Sequence, residues 1–374
     1  MLAVFQTVLL VLALLAIVAS VLSSLPWPYW WTRMFDFPRL QIVALAALVL
    51  VLYAGVNLAT GDMDTFEWIV AGLLAAVLAY QAVWIAQYSP LLPVESETVT
   101  GVPREQRLRL LITNVWMENR DFEKWRGVVT GEDADVIMGV ETDRWWAEQM
   151  RALEADYPHK HEVPQEDTYG MVVYSRFPLE DLEVKRLVED EVPSVWARVK
   201  LPDGPRVQLV FVHPRPPRPD IGQDSHLRDA ELVLVARAVE PLERPVVVAG
   251  DFNDVAWSYT TSLFQKLAGL LDPRRGRGLF MTFHADHPLL RYPLDHIFHS
   301  DDLALVEIRV LGHTGSDHFP VLVDLAYVAD RADQEAPDAD ASEREQGDEL
   351  LEFAEEMKAE ESPEEERERK AKDV

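Results

Sequence analysis

The sequence predicts an α/β fold: a mixed two-sheet core flanked by helices, carried behind three membrane-spanning helices. Two observations predict it. Within the first ninety residues lie three long, uncharged apolar runs, each close to the roughly 20 residues that carry a helix across a bilayer. From Leu108 onward, short β-branched runs recur with only a few helical stretches between them. Many strands with few helices indicate packed sheets rather than a regular βαβ repeat.

Taken in order, Leu2 to Leu25 is the first span, interrupted only by Gln6, Thr7 and a few serines. Leu40 to Leu58 is the second, and Phe66 to Tyr80, extending towards Ala86, the third. Pro26-Trp27-Pro28-Tyr29-Trp30-Trp31, Trp68 and Trp84 flank these runs, as aromatic residues do at a membrane–water interface. A cleaved leader is disfavoured for the first run, which is long and has no basic n-region. Residues 1–88 thus read as a three-helix membrane anchor and 89–106, with Pro, Ser and Glu but no period, as a linker.

Beyond it, strands are expected at Leu108–Thr113, Asp135–Val140, Tyr169–Ser175, Ser194–Lys200, Val207–Val212, Pro245–Ala249, Leu294–His299, Leu303–Val310 and Val321–Leu325. Helices are expected through Trp125 to Val129, capped by Asn119 or Asp121, and over Trp145–Leu153, Ser225–Glu240 and Tyr259–Leu270. This domain spans 107–328. Residues 329–374 turn to Asp, Glu, Ala and Arg and read as an acidic disordered tail, with some helix around Leu350 to Met357.

Charge narrows the function. The chain carries −28 in 374 residues and no cysteine, which excludes disulfides, Cys-ligated metals and a thiol nucleophile. From Asp330 to Val374 there are 19 acidic and 7 basic side chains, so the tail contributes −12 and the rest is still acidic. Extensive nucleic-acid binding is disfavoured, since gripping phosphates calls for a basic surface.

Polar residues of four types gather where strands end. Asn114 ends the first strand and Glu141 the second; His213 ends Val-Gln-Leu-Val-Phe-Val-His. Asp251 and Asn253 end another in Gly-Asp-Phe-Asn, Asp295 lies in Tyr-Pro-Leu-Asp-His-Ile-Phe, and Ser316-Asp317-His318 precedes the last. Two residues apart on an extended chain, Asp251 and Asn253 can face one cavity. Carboxylates suit Mg²⁺ with waters left in place, and the histidines suit proton transfer or charge neutralisation at phosphorus. A serine triad is not favoured, for there is no Gly-x-Ser-x-Gly elbow. His284, His287, His296 and His299 receive no role, and Arg228, on a helix, could meet phosphate but reads as a solvated or salt-bridged residue.

Thr-Asn-Val at 113–115, Asp-Val-Ile-Met-Gly-Val-Glu at 135–141, Gly-Met-Val-Val-Tyr-Ser-Arg-Phe-Pro-Leu at 170–179, Gly-Asp-Phe-Asn at 250–253, Leu-Asp-His-Ile-Phe at 294–298 and Ser-Asp-His-Phe-Pro-Val at 316–321 fall in one order. In that order they resemble the endonuclease/exonuclease/phosphatase superfamily, which includes deoxyribonuclease I, abasic-site endonucleases, sphingomyelinases and inositol-phosphate phosphatases. The resemblance covers roughly Arg107 to Tyr327. It implies a four-layer α/β/β/α sandwich, deoxyribonuclease I-like, preceded here by the three transmembrane helices. It further implies Mg²⁺, with Mn²⁺ as the alternative ion, held by Glu141 with Asn114 and Asp317 close by. Asp251 would orient or deprotonate the attacking water, and Asn253 would hold a phosphoryl oxygen. His318, oriented by Asp295, would stabilise the pentacovalent phosphorus, and His213 would contact phosphate or assist the leaving group. Trp116 stands where abasic-site endonucleases have an Asp, which puts a second metal position in doubt.

The anchor followed by this domain also resembles a bacterial subgroup that includes the teicoplanin-resistance membrane proteins, implying an extracytoplasmic site near the bilayer. Arg33, Arg39, Arg104, Arg107 and Arg109, by contrast, place the same side in the cytoplasm by the positive-inside rule; of the two we take the outside face. The expected enzyme is a membrane-anchored, Mg²⁺-dependent phosphohydrolase. Its partners are the lipid bilayer and a phosphate ester or pyrophosphate, in one version lipid-linked. The rivals are a nuclease of the same fold and a non-catalytic scaffold whose acidic tail binds a partner.

Overall fold

In the first strand, Leu108, Leu110 and Ile112 point one way and Leu111 the other, and every one of them is buried. A strand apolar on both faces needs a layer on each side, and the architecture follows. We describe a computed structural model covering residues 1–25, 27–217, 224–328 and 334–360.

Strands β1 (Arg107–Asn114), β2 (Val136–Val140), β3 (His159–Val163), β4 (Met171–Ser175), β5 (Glu180–Lys185), β6 (Ser194–Lys200), β7 (Arg206–Val212), β8 (Val246–Asp251), β9 (Asp295–His299), β10 (Leu303–Val310) and β11 (Val321–Tyr327) form two mixed sheets. One has the order β10-β11-β1-β2-β4-β3 and the other β5-β6-β7-β8-β9. Between them lies a core that includes Leu110, Met138, Val173, Leu209, Phe211, Val247, Ala249 and Ile297. Helices α5 (Phe122–Val129) and α6 (Arg144–Met150) cover the outer face of the first sheet through Phe122, Trp125, Trp146 and Met150. Helices α7 (His226–Val239) and α8 (Tyr259–Ala268) cover the second through Leu232, Val235, Phe264 and Leu267. This is the deoxyribonuclease I-like α/β sandwich.

The caps follow local chemistry. Asp121 accepts from the Lys124 backbone N–H at 3.1 Å and Asp143 from that of Trp146 at 2.8 Å, each satisfying a donor that a helix start leaves open. The expected strands are present within a residue or two. Two more, β3 and β5, have no counterpart in the sequence reading. Both are edge strands built from His-Lys-His-Glu-Val and Glu-Asp-Leu-Glu-Val-Lys, with no apolar run to mark them.

Helices α1 (Leu2–Leu22), α3 (Arg39–Thr60) and α4 (Thr65–Ala86) are long and apolar enough to cross a membrane. Ala13, Ala16 and Ala46 pack at their shared seam with Leu9, Val49 and Leu74, and small residues let such helices approach closely. Gln81 donates to Ser20 and accepts from Arg39 inside the bundle. The one-turn helix α2 (Trp30–Arg33) lies between the first two spans.

The expected disordered tail is corrected for part of its length. Residues 341–360 form helix α9 (Ala341–Glu360), whose Leu350 joins Ala339 in the hydrophobic layer over α7 and α8. Gly347 lies where an added Cβ would come 3.3 Å from Leu267 and 3.5 Å from Val233. Arg237 and Lys266 complement its acidity by pairing with Asp348 and Glu343, and its own Arg344 pairs with Glu240. Residues 329–333 and 361–374 lie outside the described part.

Candidate active site

Side chains two apart share a face, and that period assembles the site. Residues 108, 110 and 112 of β1 face the inter-sheet core, so Asn114 continues that face at the strand's end. Val247 and Ala249 place Asp251 in the same way, Leu209 and Phe211 place His213, and Ile297 places Asp295. Strands β1 and β2 run parallel, as do β7 and β8, while β11 and β9 run antiparallel to them. The C-terminal ends of β1, β2, β7 and β8 therefore share one edge of the sandwich with the N-terminal ends of β9 and β11. Asp251 pairs directly with Asp295 in register.

Local backbone fixes the approach. Gly250 has φ 152°, and a Cβ there would lie 1.9 Å from the Val212 carbonyl oxygen, so only glycine lets β8 pass β7 at this point. Trp116, Glu141 and Asn253 all adopt positive φ, at 56°, 57° and 51°. Left-handed backbone at non-glycine residues is costly, and its clustering here marks a place where side-chain aim outweighs local comfort.

The polar groups interlock. The Asn114 amide nitrogen donates to Glu141 Oε1 at 2.8 Å and to Asp251 Oδ2 at 3.1 Å, while its oxygen accepts from the Trp116 backbone N–H. Glu141 Oε2 accepts from the Met117 N–H at 3.2 Å. His318 Nδ1 donates to Asp295 Oδ2 at 2.8 Å, and its Nε2 lies 3.5 Å from Asp251 Oδ2. His213 Nε2 stands 3.9 Å from the same Asp251 oxygen. Asp251 Oδ1 accepts from the Asn253 N–H, and the Asn253 amide donates to the Pro214 carbonyl.

Charge follows from these distances. Burial opposes a charge on His318, but Asp295 and Asp251 outweigh it and raise its pKa to about 10, so it is an imidazolium at neutral pH. Burial holds His213 below the ordinary histidine value against the pull of Asp251. Burial pushes Glu141 up to about 7; the Asn114 hydrogen bond works against that rise and nearby Asp317 adds to it.

All eight expected residues lie at this edge. Ligand atoms of Asp251, Asp295 and His318 lie within 4.8 Å of one another, the group among the described residues that can hold a metal. Asn114 joins two carboxylates through its donors, and its oxygen is engaged by the backbone. Asp317 influences both Glu141 and His318 through its charge, yet its carboxylate accepts only a long 3.4 Å hydrogen bond from Ser316. The donor set fits a hard divalent cation. Glu141 is a buried carboxylate whose pKa burial pushes up to about 7, and Asp295 Oδ1 and His213 Nδ1 are buried without a hydrogen-bond partner among the described residues.

One neighbour escaped the sequence reading. Phe283 lays its ring 4.9 Å from that of His318. Arg228, buried and paired with Asp229 and Asp254, donates to the Asn253 carbonyl at 2.9 Å. The segment after Asn253 is also held by the N-terminal helical region: Trp257 Nε1 donates to the Asp36 carbonyl at 2.7 Å and the Tyr88 hydroxyl to that of Ala256 at 2.5 Å. Arg33 stands 3.8 Å from Asp229.

Residues 112–318 match the sequence model of the Endonuclease/Exonuclease/phosphatase family. No curated protein matches the chain. Among solved structures, the chain is similar to D. rerio TDP2 complexed with a single-strand DNA product, at 16% identity and TM-score 0.50, over 59% of this chain and 98% of that one. An endonuclease/exonuclease/phosphatase from Bacteroides vulgatus is similar at 20% identity and TM-score 0.48, over 59% and 99%.

Proposed function

Because the chain belongs to the endonuclease/exonuclease/phosphatase family, and so to hydrolytic phosphoesterases and nucleases, we propose that it is a membrane-anchored, Mg²⁺-dependent phosphohydrolase. Its substrate is a lipid-linked phosphate ester or pyrophosphate, and the attacking group is water. The observation that carries this reading is the array Asp295–His318–Asp251–Asn114–Glu141 at a sheet edge whose next loop is fastened to three bilayer-length helices.

Glu141, with Asp317 nearby, would hold the ion, and Asn114 would keep Glu141 and Asp251 in place. A Mg²⁺ held there would supply Lewis-acid polarisation of phosphoryl oxygens and offset charge developing on them. Asp251 orients the water and accepts its proton. His318, kept cationic by Asp295, donates to a phosphoryl oxygen as negative charge grows, the kind of fixed donor that stabilises a transition state most. Asn253 holds a second oxygen with its remaining amide hydrogen. His213, kept neutral by burial, meets the leaving group. Acidic balance and anchoring both favour a lipid-linked substrate over long nucleic acid.

The test is a hydrolysis panel with the full-length protein in lipid vesicles, with Mg²⁺ or Mn²⁺. It spans polyisoprenyl pyrophosphate, phospholipids, nucleotides, DNA and bis(p-nitrophenyl) phosphate. Metal-dependent phosphate release from a lipid pyrophosphate or ester is expected, falling by about 10²–10³ in Asp295→Asn and further in Asp251→Ala or His318→Ala. Cleavage of DNA alone would replace this reading with the nuclease. Turnover indifferent to Asp251→Ala would remove the catalytic assignment.

A further inference from the structure

The domain-side end of the helix bundle carries exposed apolar residues. Trp27, Trp31 and Met34 follow α1, and Leu91 and Leu92 follow α4; all are exposed. The catalytic domain adds its own pair at this level. Leu289 is 85% exposed and Leu290 52%, in a single turn over residues 288–290. Two adjacent leucines so open to solvent are out of keeping with an otherwise charged domain surface.

Their position is fixed by the anchor. Gln41, in the first turn of α3, donates to the Leu289 carbonyl at 2.7 Å, and Phe37 meets Tyr292 edge-on with ring centroids 5.5 Å apart. The leucine turn is thus continuous with the point where the second span leaves the bundle. The same segment forms a wall of the active site. Phe283 rests on His318, the Ala285 N–H donates to the Asp317 carbonyl at 2.7 Å, and the Arg291 guanidinium lies 4.9 Å over the Phe319 ring. One stretch, 283–292, therefore joins the catalytic histidine to the membrane boundary.

We propose that Leu289 and Leu290 enter the bilayer interface as a lip, over which the apolar chain of a lipid-linked substrate runs from the membrane to the phosphate site at His318. This rests on the phosphohydrolase reading and names the surface that gives it access to lipid. Burying leucine side chains in hydrocarbon favours the docked state, and the spans hold the turn at the right depth without a search.

Two measurements on the full chain decide it. The protein has no cysteine, so Leu289→Cys accepts a single bimane label. In phosphatidylethanolamine–phosphatidylglycerol vesicles containing doxyl lipids, bimane at 289 is expected to be quenched. A label at Asp203→Cys, in the exposed β6–β7 turn at the opposite end of the sheet from His213, is expected to stay bright. Equal, weak quenching at both positions overturns the lip. In the second measurement, Leu289→Ser/Leu290→Ser is expected to slow turnover of polyisoprenyl pyrophosphate in vesicles about tenfold while leaving bis(p-nitrophenyl) phosphate within twofold. Equal loss on both substrates, or no loss, overturns the access route. If the wild type hydrolyses neither substrate, the phosphohydrolase reading falls with the access route, and quenching alone decides whether the leucines lie in lipid.

Discussion

Glu231 shows how far burial moves a single group. It sits on the buried face of α7, where desolvation raises its pKa to about 8 and the Val188 backbone bond only partly compensates; Oε2 has no partner. With the folded value above the unfolded one, its contribution to stability is fully present below about pH 4.5 and is lost as pH rises towards 8. Glu231→Gln removes that loss. Its thermal midpoint should exceed the wild type's by a margin that grows from pH 5 to pH 8 and then levels off. A margin independent of pH would show that the carboxylate is not held in this state. At the same scale, the site was readable where polarity interrupts a strand's apolar phase: Asn114, His213 and Asp251 each follow two or three alternate core residues, and Asp295 stands one alternate position before Ile297. Phe283 was not, since an aromatic residue in a loop has no such phase to break, and its contact with His318 exists only once the two sheets have packed together. Nothing in Thr-Asn-Val says that the amide will turn its nitrogen to the carboxylates.

Elements were legible in proportion to how much of their burial is their own. Central strands buried on both faces announce themselves as apolar runs, whereas β3 and β5 borrow half their partners and read as loop. Helix α9 is the extreme case, with few apolar side chains and a largely acidic surface. Its stability comes from a matching face on α7 and α8, with Arg237 and Lys266 placed to meet Asp348 and Glu343. Composition cannot report such a face. If α9 is part of the folded core, Leu350→Ala should cost about 2–5 kcal/mol in denaturant unfolding of the full-length protein, the usual range for a buried leucine. Glu352→Ala, on the exposed side, should change it by less than about 0.5 kcal/mol. Equal, negligible effects would return the segment to the status of a solvated tail.

At the scale of the whole molecule, the structure changes the weight of the charge signal for topology. Counting arginines placed the catalytic domain in the cytoplasm, but those arginines are not a free basic loop. Arg33 lies between Asp36 and Asp229, and Arg39 is buried against Asp36 and Gln81. Arg104 pairs with Asp135, while Arg107 and Arg109 share Asp324. Side chains neutralised within the fold are retained for packing and pairing, so their number is a poor guide to which side of the bilayer they occupy. We propose that the domain lies on the outer face. The missing cysteines make this directly measurable. Asp203→Cys, exposed in a turn of the catalytic domain, should react with a membrane-impermeant maleimide in intact bacterial cells, before any permeabilisation. A cysteine at Asp62, in the loop joining α3 to α4 at the other end of the bundle, should react only after the membrane is opened. The reverse pattern would put the site in the cytoplasm and restrict its lipid substrates to those presented by the inner leaflet.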